Sequence, residues 1–220
     1  MLMKSILLIG LGKFGTTLGE KLRAMGDDVM IVDKNEEAVN ALSSEYTNAL
    51  IANCANVNNL KSLDVPSYDC CIVAIGDDFQ SSLEITSLLK DLGAKYIVSK
   101  AATSIQKKFL LRCGADEVVY PDEDIAEKLA VKLNSRKVFD YIEIDSDHAI
   151  LEIAVPSKWI GKTVVDVDSR KKFGLNILIV KNSQKEPLLP SAEYAFAEGD
   201  HILVFGETAK VLEFTNGKHR

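Results

Sequence analysis

The stretch from Ser5 to Asp33, SILLIGLGKFGTTLGEKLRAMGDDVMIVD, constrains the fold more than any other part of the chain. It opens with Ser5–Ile9, a continuous apolar run typical of a strand buried on both faces of a parallel sheet. A glycine turn with G-x-G-x-x-G spacing, Gly10–Gly15, follows at once, and an amphipathic segment then leads to a second apolar run, Asp27–Val32. Strand, glycine turn, helix, strand and a terminal acid, in that order, predict a Rossmann-like βαβ unit.

Each glycine of the turn has a predicted steric role. Gly10 permits the tight turn out of the strand, Gly12 lets the backbone approach a phosphate, and Gly15 lets the helix pack close to the sheet. The N-terminus of the helix that starts near Lys13 favours an anion. Asp33 lies 18 residues after Gly15, near the spacing at which a carboxylate accepts hydrogen bonds from ribose hydroxyls.

These features predict an adenine-nucleotide site. Because the Asp33 carboxylate repels a 2′-phosphate, NADP is disfavoured, and NAD(H), ATP, ADP and AMP remain. The alternative is a Rossmann-like fold whose cleft has lost its ligand.

Composition places the chain among ordinary globular proteins with one large domain or two modest ones. It has 220 residues, of which 47% are apolar and 26% charged. No apolar run approaches the roughly 18–20 residues that cross a bilayer, and the first residues lead directly into the glycine turn, so neither a membrane span nor a signal peptide is predicted.

The net charge of −6 argues against a nucleic-acid partner. Four cysteines without metal-ligand spacing are typical of reduced, mostly buried thiols, with redox sensing as the alternative.

Strands and helices alternate over the first 120 residues. Further helices are predicted at 36–46, 56–63, 80–92 and 104–113, and further strands at 49–52, 69–75, 95–99 and 117–120. Asn35 is a predicted N-cap. Asp78 is a predicted N-cap or, with Gly76 and Asp77, a turn that lines the adenine and ribose side of the site. The alternation predicts a doubly wound parallel sheet, an α/β fold in which a ligand lies beyond the carboxyl ends of the strands.

The pattern changes after residue 121. A helix is predicted at 122–135, with Ile125, Leu129 and Leu133 forming a narrow apolar stripe. Strands at 138–145, 149–156, 175–181 and 201–206, with a short helix at 164–172, predict a small α+β domain. The predicted organisation is therefore a nucleotide-binding domain at 1–121, a crossover helix and linker at 122–136, and a C-terminal domain at 137–220.

The predicted nucleotide-binding residues follow the ends of the strands. They are Gly10, Gly12, Lys13, Phe14, Gly15, Asp33, Lys34, Asn53, Cys54, Ala74, Ile75, Gly76 and Lys100. Lys13 and Lys100 are the candidate cations for the phosphates.

No catalytic constellation accompanies this cleft. Hydride transfer usually needs an acid–base group beside the cofactor, whereas His148, His201 and His219 all fall outside the predicted nucleotide domain. We therefore predict a binding protein with no catalytic residues, and a small NAD-dependent oxidoreductase or redox-sensing Rossmann protein is the alternative.

Two charged clusters have both a simple and a functional interpretation. Pro121-Asp122-Glu123-Asp124 is either an acidic helix start stabilised by the helix dipole or part of a divalent-cation site that a second chain or the nucleotide completes. Arg170-Lys171-Lys172 is either a solvated basic turn or an anion-binding group at a dimer interface.

The chain resembles the RCK (regulator of potassium conductance) proteins, and most of all the Ktr-type regulatory subunits of bacterial Trk/Ktr potassium uptake systems. IGLGKFG, VDKNEE and the ANC stretch at 52–54 are similar to the nucleotide lobe of that family. GKTVVDVDSRKKFGLNILIVK is similar to its C-terminal lobe.

This resemblance implies a cytoplasmic gating subunit, peripheral to the membrane, that binds ATP or ADP, or NAD(H) in some relatives. It implies homodimers that assemble into an octameric ring under a separate membrane subunit, which translocates potassium. It also implies a divalent cation (Mg²⁺ or Ca²⁺) at Asp122, and cyclic di-AMP at Val164, Val165, Arg170 and Pro190. Lys13 stands where many Ktr-type members have arginine, and a lysine keeps the charge but loses the bidentate fork.

Overall fold

A computed structural model describes residues 3–134 and 137–216 of the chain. The chain forms two compact units, Met1–Asp122 and Glu123–Arg220. Within the described ranges, every helix is too short or too polar to cross a lipid bilayer.

The first unit contains a six-stranded, fully parallel sheet. Its strands are β1 (Ser5–Ile9), β2 (Asp28–Asp33), β3 (Asn48–Ile51), β4 (Cys70–Val73), β5 (Ile97–Lys100) and β6 (Glu117–Val119). Their order across the sheet is β3-β2-β1-β4-β5-β6. This is the doubly wound Rossmann order, in which the direction of winding reverses beside β1. The predicted fold class is confirmed.

Helices connect these strands. They are α1 (Lys13–Ala24), α2 (Glu36–Leu42), α3 (Val57–Lys61), α4 (Phe79–Asp91) and α5 (Ser104–Arg112). Asn35 and Asp78 accept hydrogen bonds from backbone N–H groups of the helices that follow them, so both predicted N-caps are confirmed. The helix predicted at 36–46 is shorter, because its last turn, Ser43–Glu45, tightens into a 3₁₀ helix.

Both faces of this sheet are buried. Leu7 and Ile9 pack with Val32, Val73 and Ile97 on one face. Their neighbours Ile6 and Leu8 pack with Ile31, Val39 and Ile72 on the other. Burial on both faces explains why β1 has no polar alternation.

The second unit is built on an antiparallel sheet. Helix α6 (Pro121–Asn134) leads into it, and its strands are β7 (Val138–Glu143), β8 (His148–Ala154), β9 (Asn176–Lys181), β10 (Pro187–Leu188) and β11 (His201–Glu207). The order is β10-β9-β11-β8-β7. The predicted small α+β domain is confirmed, although Ser135 of the helix predicted at 122–135 and His219 lie outside the described residues.

Three details of this unit differ from the sequence prediction. The helix predicted at 164–172 is two helices, α7 (Val164–Val167) and α8 (Ser169–Phe173), because Asp168 between them has a left-handed backbone with φ 46°. The two-residue strand β10 and helix α9 (Thr208–Thr215) were not predicted. Helix α6 begins at Pro121, one residue before the predicted start, so the acids of 122–124 lie in its first turn.

An aromatic cluster fills the core of the second unit. Trp159 is buried, and its ring centroid lies 5.2 Å from that of Phe214 and 5.8 Å from that of Phe196. Trp159 is therefore a packed aromatic of this core.

Candidate functional site

A cavity of about 340 Å³ lies beyond the carboxyl ends of the strands at the centre of the parallel sheet. It is lined by Ile9, Gly10, Leu11, Gly12, Asp33, Lys34, Asn35, Ala38, Ala52, Asn53, Cys54, Ala74, Ile75, Gly76, Asp77, Asp78, Ser81 and Ile85. Nine of these are predicted site residues: Gly10, Gly12, Asp33, Lys34, Asn53, Cys54, Ala74, Ile75 and Gly76. The cavity is at the topological switch point, where ligands bind in open α/β sheets.

The glycine turn forms the floor of this cavity. Gly10 has φ +100°, a left-handed conformation that favours glycine. A Cβ atom on Gly15 would lie 2.0 Å from the carbonyl oxygen of Gly10, so α1 starts in direct contact with the turn. A Cβ atom on Gly12 would meet nothing within 4 Å. The backbone at Gly12 therefore borders open space, as a cradle for a phosphate requires.

The N-terminus of α1 is suited to an anion. Its N-cap, Gly12, offers no side chain to bond the first N–H groups, and within the described residues the first turn holds no acid. The helix has 12 residues, and its dipole adds positive potential at this end.

Asp33 ties the cavity walls together. Its Oδ2 accepts a hydrogen bond from the backbone N–H of Leu11 at 2.6 Å, and its Oδ1 accepts one from the N–H of Asn35 at 2.8 Å. Each carboxylate oxygen has a second lone pair, so Asp33 can still accept hydrogen bonds from ribose hydroxyls. The carboxylate thus joins the end of β2 to the glycine turn and faces the cavity.

Three lysines surround the cleft in different ways. Lys100 is half-buried, with Nζ 5.7 Å from the centroid of the Phe14 ring, and a Cβ atom on Gly76 would lie 2.9 Å from that Nζ. Lys34 forms an ion pair with Asp78 at 3.4 Å. Lys13 is exposed, and neither it nor Phe14, Gly15 or Lys100 is part of the cavity lining.

The far wall carries Asn53 and Cys54. Asn53 Oδ1 accepts a hydrogen bond from the N–H of Ala55 at 3.0 Å, which fixes the turn after β3. Burial, and to a lesser extent the charge of Asp33, raises the pKa of Cys54 to about 12. Burial likewise raises the pKa of Cys71 to about 12 and that of Cys70 to about 11. These three thiols are protonated at neutral pH and are therefore poor nucleophiles.

Half of the lining is not among the predicted nucleotide-binding residues: Ile9, Leu11, Asn35, Ala38, Ala52, Asp77, Asp78, Ser81 and Ile85. Leu11 lies in the glycine turn, and Asp77 and Asp78 lie in the turn after β4 that the sequence singled out. Asn35 adjoins Asp33 and Lys34, so its position beside a strand end was a usable signal. Ala38, Ser81 and Ile85 lie inside helices, and only the packing of α2 and α4 on the sheet brings them to the cavity.

The residues predicted to hold a divalent cation or cyclic di-AMP are not part of this cavity lining. Asp122 is exposed at the start of α6, and the described residues contain no group of three or more acidic, histidine or cysteine side chains able to hold a metal. In the second unit, the N–H groups of Val164 and Val165 bond the carbonyls of Tyr194 and Ala192, which places them beside the loop that contains Pro190. Arg170 is exposed on α8.

The sequence matches two domain families. Residues 6–121 match the TrkA-N domain and residues 148–216 match the TrkA-C domain. The chain is 36% identical over 213 residues to the Ktr system potassium uptake protein A of Bacillus subtilis, covering 97% of this chain and 96% of that protein. It is 34% identical over 211 residues to protein C of the same organism, covering 96% of each.

The fold is similar to that of solved RCK structures. The GsuK RCK domain superposes with a TM-score of 0.66 at 19% identity, covering 97% of this chain and 47% of that one. The GsuK channel bound to NAD gives 0.67 at 20% identity, with 97% and 39% covered, so this chain spans less than half of either protein. The AMP-bound Kef C-terminal domain of Shewanella denitrificans gives 0.51 at 23% identity, with 59% and 78% covered.

Both domains are matched in order, and more than a third of the residues are identical to those of one Ktr protein over almost the whole length. The chain therefore belongs to the RCK-domain family of bacterial Ktr and Trk potassium uptake proteins.

Proposed function

We propose that the chain is a non-enzymatic regulatory subunit of a potassium uptake system, and that it senses an adenine nucleotide in the cleft above β1. The observation that carries this proposal is the cavity itself. It combines an open glycine turn, an uncapped helix N-terminus and the Asp33 carboxylate in a chain whose relatives are potassium uptake proteins.

The nucleotide is ATP or ADP in this proposal, with NAD(H) as a further ligand. Its phosphates lie at Gly12 and the N-terminus of α1, near Lys13 and Lys100, and its ribose lies on Asp33. The adenine lies towards Asn53, Cys54 and the Ala74–Gly76 segment. GsuK with NAD and the Kef domain with AMP support this, because a fold of this kind holds adenine ligands of different sizes in those proteins.

Gating follows from differential affinity. A ligand shifts a conformational equilibrium only by the difference in its affinity for the two states, and one site typically supplies about 1–3 kcal/mol. Several identical sites acting on one assembly add their contributions. We therefore propose homodimers that assemble into an octameric ring, bound at the cytoplasmic face of the membrane to a potassium-translocating subunit.

Two further ligands belong to this proposal. Asp122 holds a divalent cation, Mg²⁺ or Ca²⁺, together with oxygen ligands from a second chain, because one exposed carboxylate supplies too few ligands. Val164, Val165, Arg170 and Pro190 form part of a cyclic di-AMP site, in which the Arg170 guanidinium pairs with a phosphate.

The test combines binding and transport. We expect titration calorimetry to show ATP and ADP binding, and Asp33→Ala to weaken both at least tenfold, because the substitution removes the ribose acceptor and loosens the turn at Leu11. After reconstitution with the membrane partner, potassium flux should differ between ATP and ADP for the wild type but not for Asp33→Ala.

Asp91→Ala is the matched control, because Asp91 is an exposed acid at the end of α4 and lies outside the cavity lining. Unchanged nucleotide affinity in Asp33→Ala would refute the assigned site. Steady turnover of NADH with carbonyl substrates would replace the gating function with that of an oxidoreductase.

A further inference from the structure

An ion pair crosses the cleft from one wall to the other. Lys34 follows the end of β2 and Asp78 precedes α4, and the Lys34 Nζ to Asp78 Oδ2 distance is 3.4 Å. In the sheet, β2 and β4 lie on either side of β1. The pair therefore spans the cavity above the glycine turn, and both residues belong to the cavity lining.

One end of this pair is fixed. Asp78 Oδ1 accepts a hydrogen bond from the N–H of Ser81 at 3.0 Å, and its Oδ2 accepts one from the Ser81 hydroxyl at 2.7 Å. These bonds, and then the Lys34 ammonium, hold the pKa of Asp78 below its ordinary value. The carboxylate is therefore ionised at neutral pH and anchored to the first turn of α4.

The other end can move. The Lys34 side chain is 64% exposed, and its ammonium is on a flexible stem of four carbons. Among the described residues that line the cavity, Lys34 is the one cation, and the lining also contains the acids Asp33, Asp77 and Asp78. Lys34 pairs with Asp78, whose carboxylate is anchored by Ser81.

We propose that Lys34 and Asp78 form a strap across the nucleoside side of the cleft, and that opening this strap controls how fast an adenine nucleotide enters and leaves. This inference rests on the proposed nucleotide site. Because the strap must open both when the nucleotide enters and when it leaves, it slows association and dissociation alike. Its loss should raise both rates and leave the dissociation constant nearly unchanged, whereas loss of a direct contact with the ligand would raise the dissociation rate alone.

Two conservative variants isolate the charge. Lys34→Gln removes the ammonium and keeps a long polar side chain. Asp78→Asn removes the carboxylate charge but keeps an oxygen that can cap α4, because asparagine caps helices as well as aspartate does. Lys95→Gln is the matched control, since Lys95 is 53% exposed and pairs with Asp69 at 3.5 Å away from the cavity lining.

The probe is ATP tritiated in the adenine ring, with exchange followed by rapid-mixing filtration on the full chain. We expect Lys34→Gln and Asp78→Asn each to raise the association and dissociation rates about two- to fivefold, the effect of one exposed ion pair. In Asp78→Asn, at a residue that has no assigned contact with the nucleotide, the dissociation constant should stay within about twofold. The double variant should match the single variants, because each substitution already opens the strap. Lys95→Gln should behave as the wild type.

Each result decides between stated alternatives. If the wild type binds ATP and both variants exchange it at the wild-type rates, the strap is refuted while the nucleotide site stands. If Asp78→Asn raises the dissociation rate alone, Asp78 is a direct ligand contact and the strap is again refuted. If the folded wild type binds no adenine nucleotide, the proposed site fails and the strap fails with it.

Discussion

The Asp33 carboxylate accepts hydrogen bonds from Leu11 and Asn35 and faces the cavity, so one residue both builds the site and contributes to it. The 18-residue spacing from Gly15 predicted that Asp33 ends β2 beside the glycine turn, because the βαβ unit sets this distance. The bond to Leu11 could not be predicted, since it joins atoms 22 residues apart whose separation depends on the packing of β1 against β2.

The glycine turn allows a residue-scale prediction that separates folding from binding. Gly15→Ala places a methyl group 2.0 Å from the Gly10 carbonyl oxygen, a backbone atom that cannot move freely. We expect a loss of about 2–3 kcal/mol in the free energy of unfolding, measured in urea by circular dichroism. Gly12→Ala is the matched variant, because its methyl group meets nothing within 4 Å.

Gly12→Ala should therefore cost less than about 1 kcal/mol in stability, yet weaken ATP binding at least tenfold by extending into the phosphate cradle. Equal stability losses in the two variants would show that the turn geometry is wrong. Full ATP affinity in Gly12→Ala would show that the phosphates lie elsewhere.

Elements differed in how far their sequences determined them. The strands and helices of the first unit were predicted because each has its own local signals, such as an apolar run, an N-cap or a glycine stop. Strand β10 has only Pro187 and Leu188 and exists through its pairing with β9, so no local pattern marks it. The break between α7 and α8 depends on the left-handed backbone of Asp168. Few non-glycine residues adopt this conformation, so the presence of an aspartate does not by itself predict the break.

The antiparallel sheet contains a charged cluster that the sequence did not indicate. The Glu152 side chain on β8 is 12% exposed and accepts hydrogen bonds from Lys181 on β9 and, at 2.9 Å, from Nδ1 of His201 on β11. Burial raises the pKa of Glu152, but these two hydrogen bonds outweigh it and hold the pKa below its ordinary value of 4.5. The cluster thus joins three strands on one face.

Glu152→Gln tests this cluster through pH. A carboxylate with a lowered pKa stabilises the fold above its unfolded-state pKa, and that stabilisation is lost as pH falls through the folded-state pKa. We expect Glu152→Gln to cost about 1–3 kcal/mol near pH 7, and the difference from wild type to shrink below about pH 4.5. Urea unfolding followed by Trp159 fluorescence reports on this unit, because Trp159 is the single tryptophan.

The control is Glu207→Gln, because Glu207 is 47% exposed and pairs with Lys210, three residues along the chain. This substitution should cost less than about 0.5 kcal/mol. A stability difference for Glu152→Gln that stays constant from pH 7 to about pH 4 would contradict the assigned role of the carboxylate.

At the scale of the whole molecule, the sequence determined the order of the two domains and the family better than the assembly. Each unit has its own sheet and core, and α6 leads from the first into the second. Ile125, Leu129 and Leu133 on α6 are 65%, 53% and 75% exposed. An apolar stripe of this kind on one chain favours burial against a partner, as the proposed dimer requires.

Light scattering after gel filtration tests the assembly. We expect the wild type with ATP to elute at about eight times the 24.1 kDa chain mass, and Leu129→Glu to elute at a smaller mass, because a buried unpaired carboxylate disfavours association. Ala130→Glu adds the same charge one residue further along α6, at a position that is also exposed but about 100° around the helix. It should keep the wild-type mass, and circular dichroism should show that both variants are folded. If Leu129→Glu assembled as the wild type does, the stripe would have no part in the ring. If the wild-type chain remained monomeric with and without ATP, the gating proposal would lose the summed free energy of several sites on which it depends.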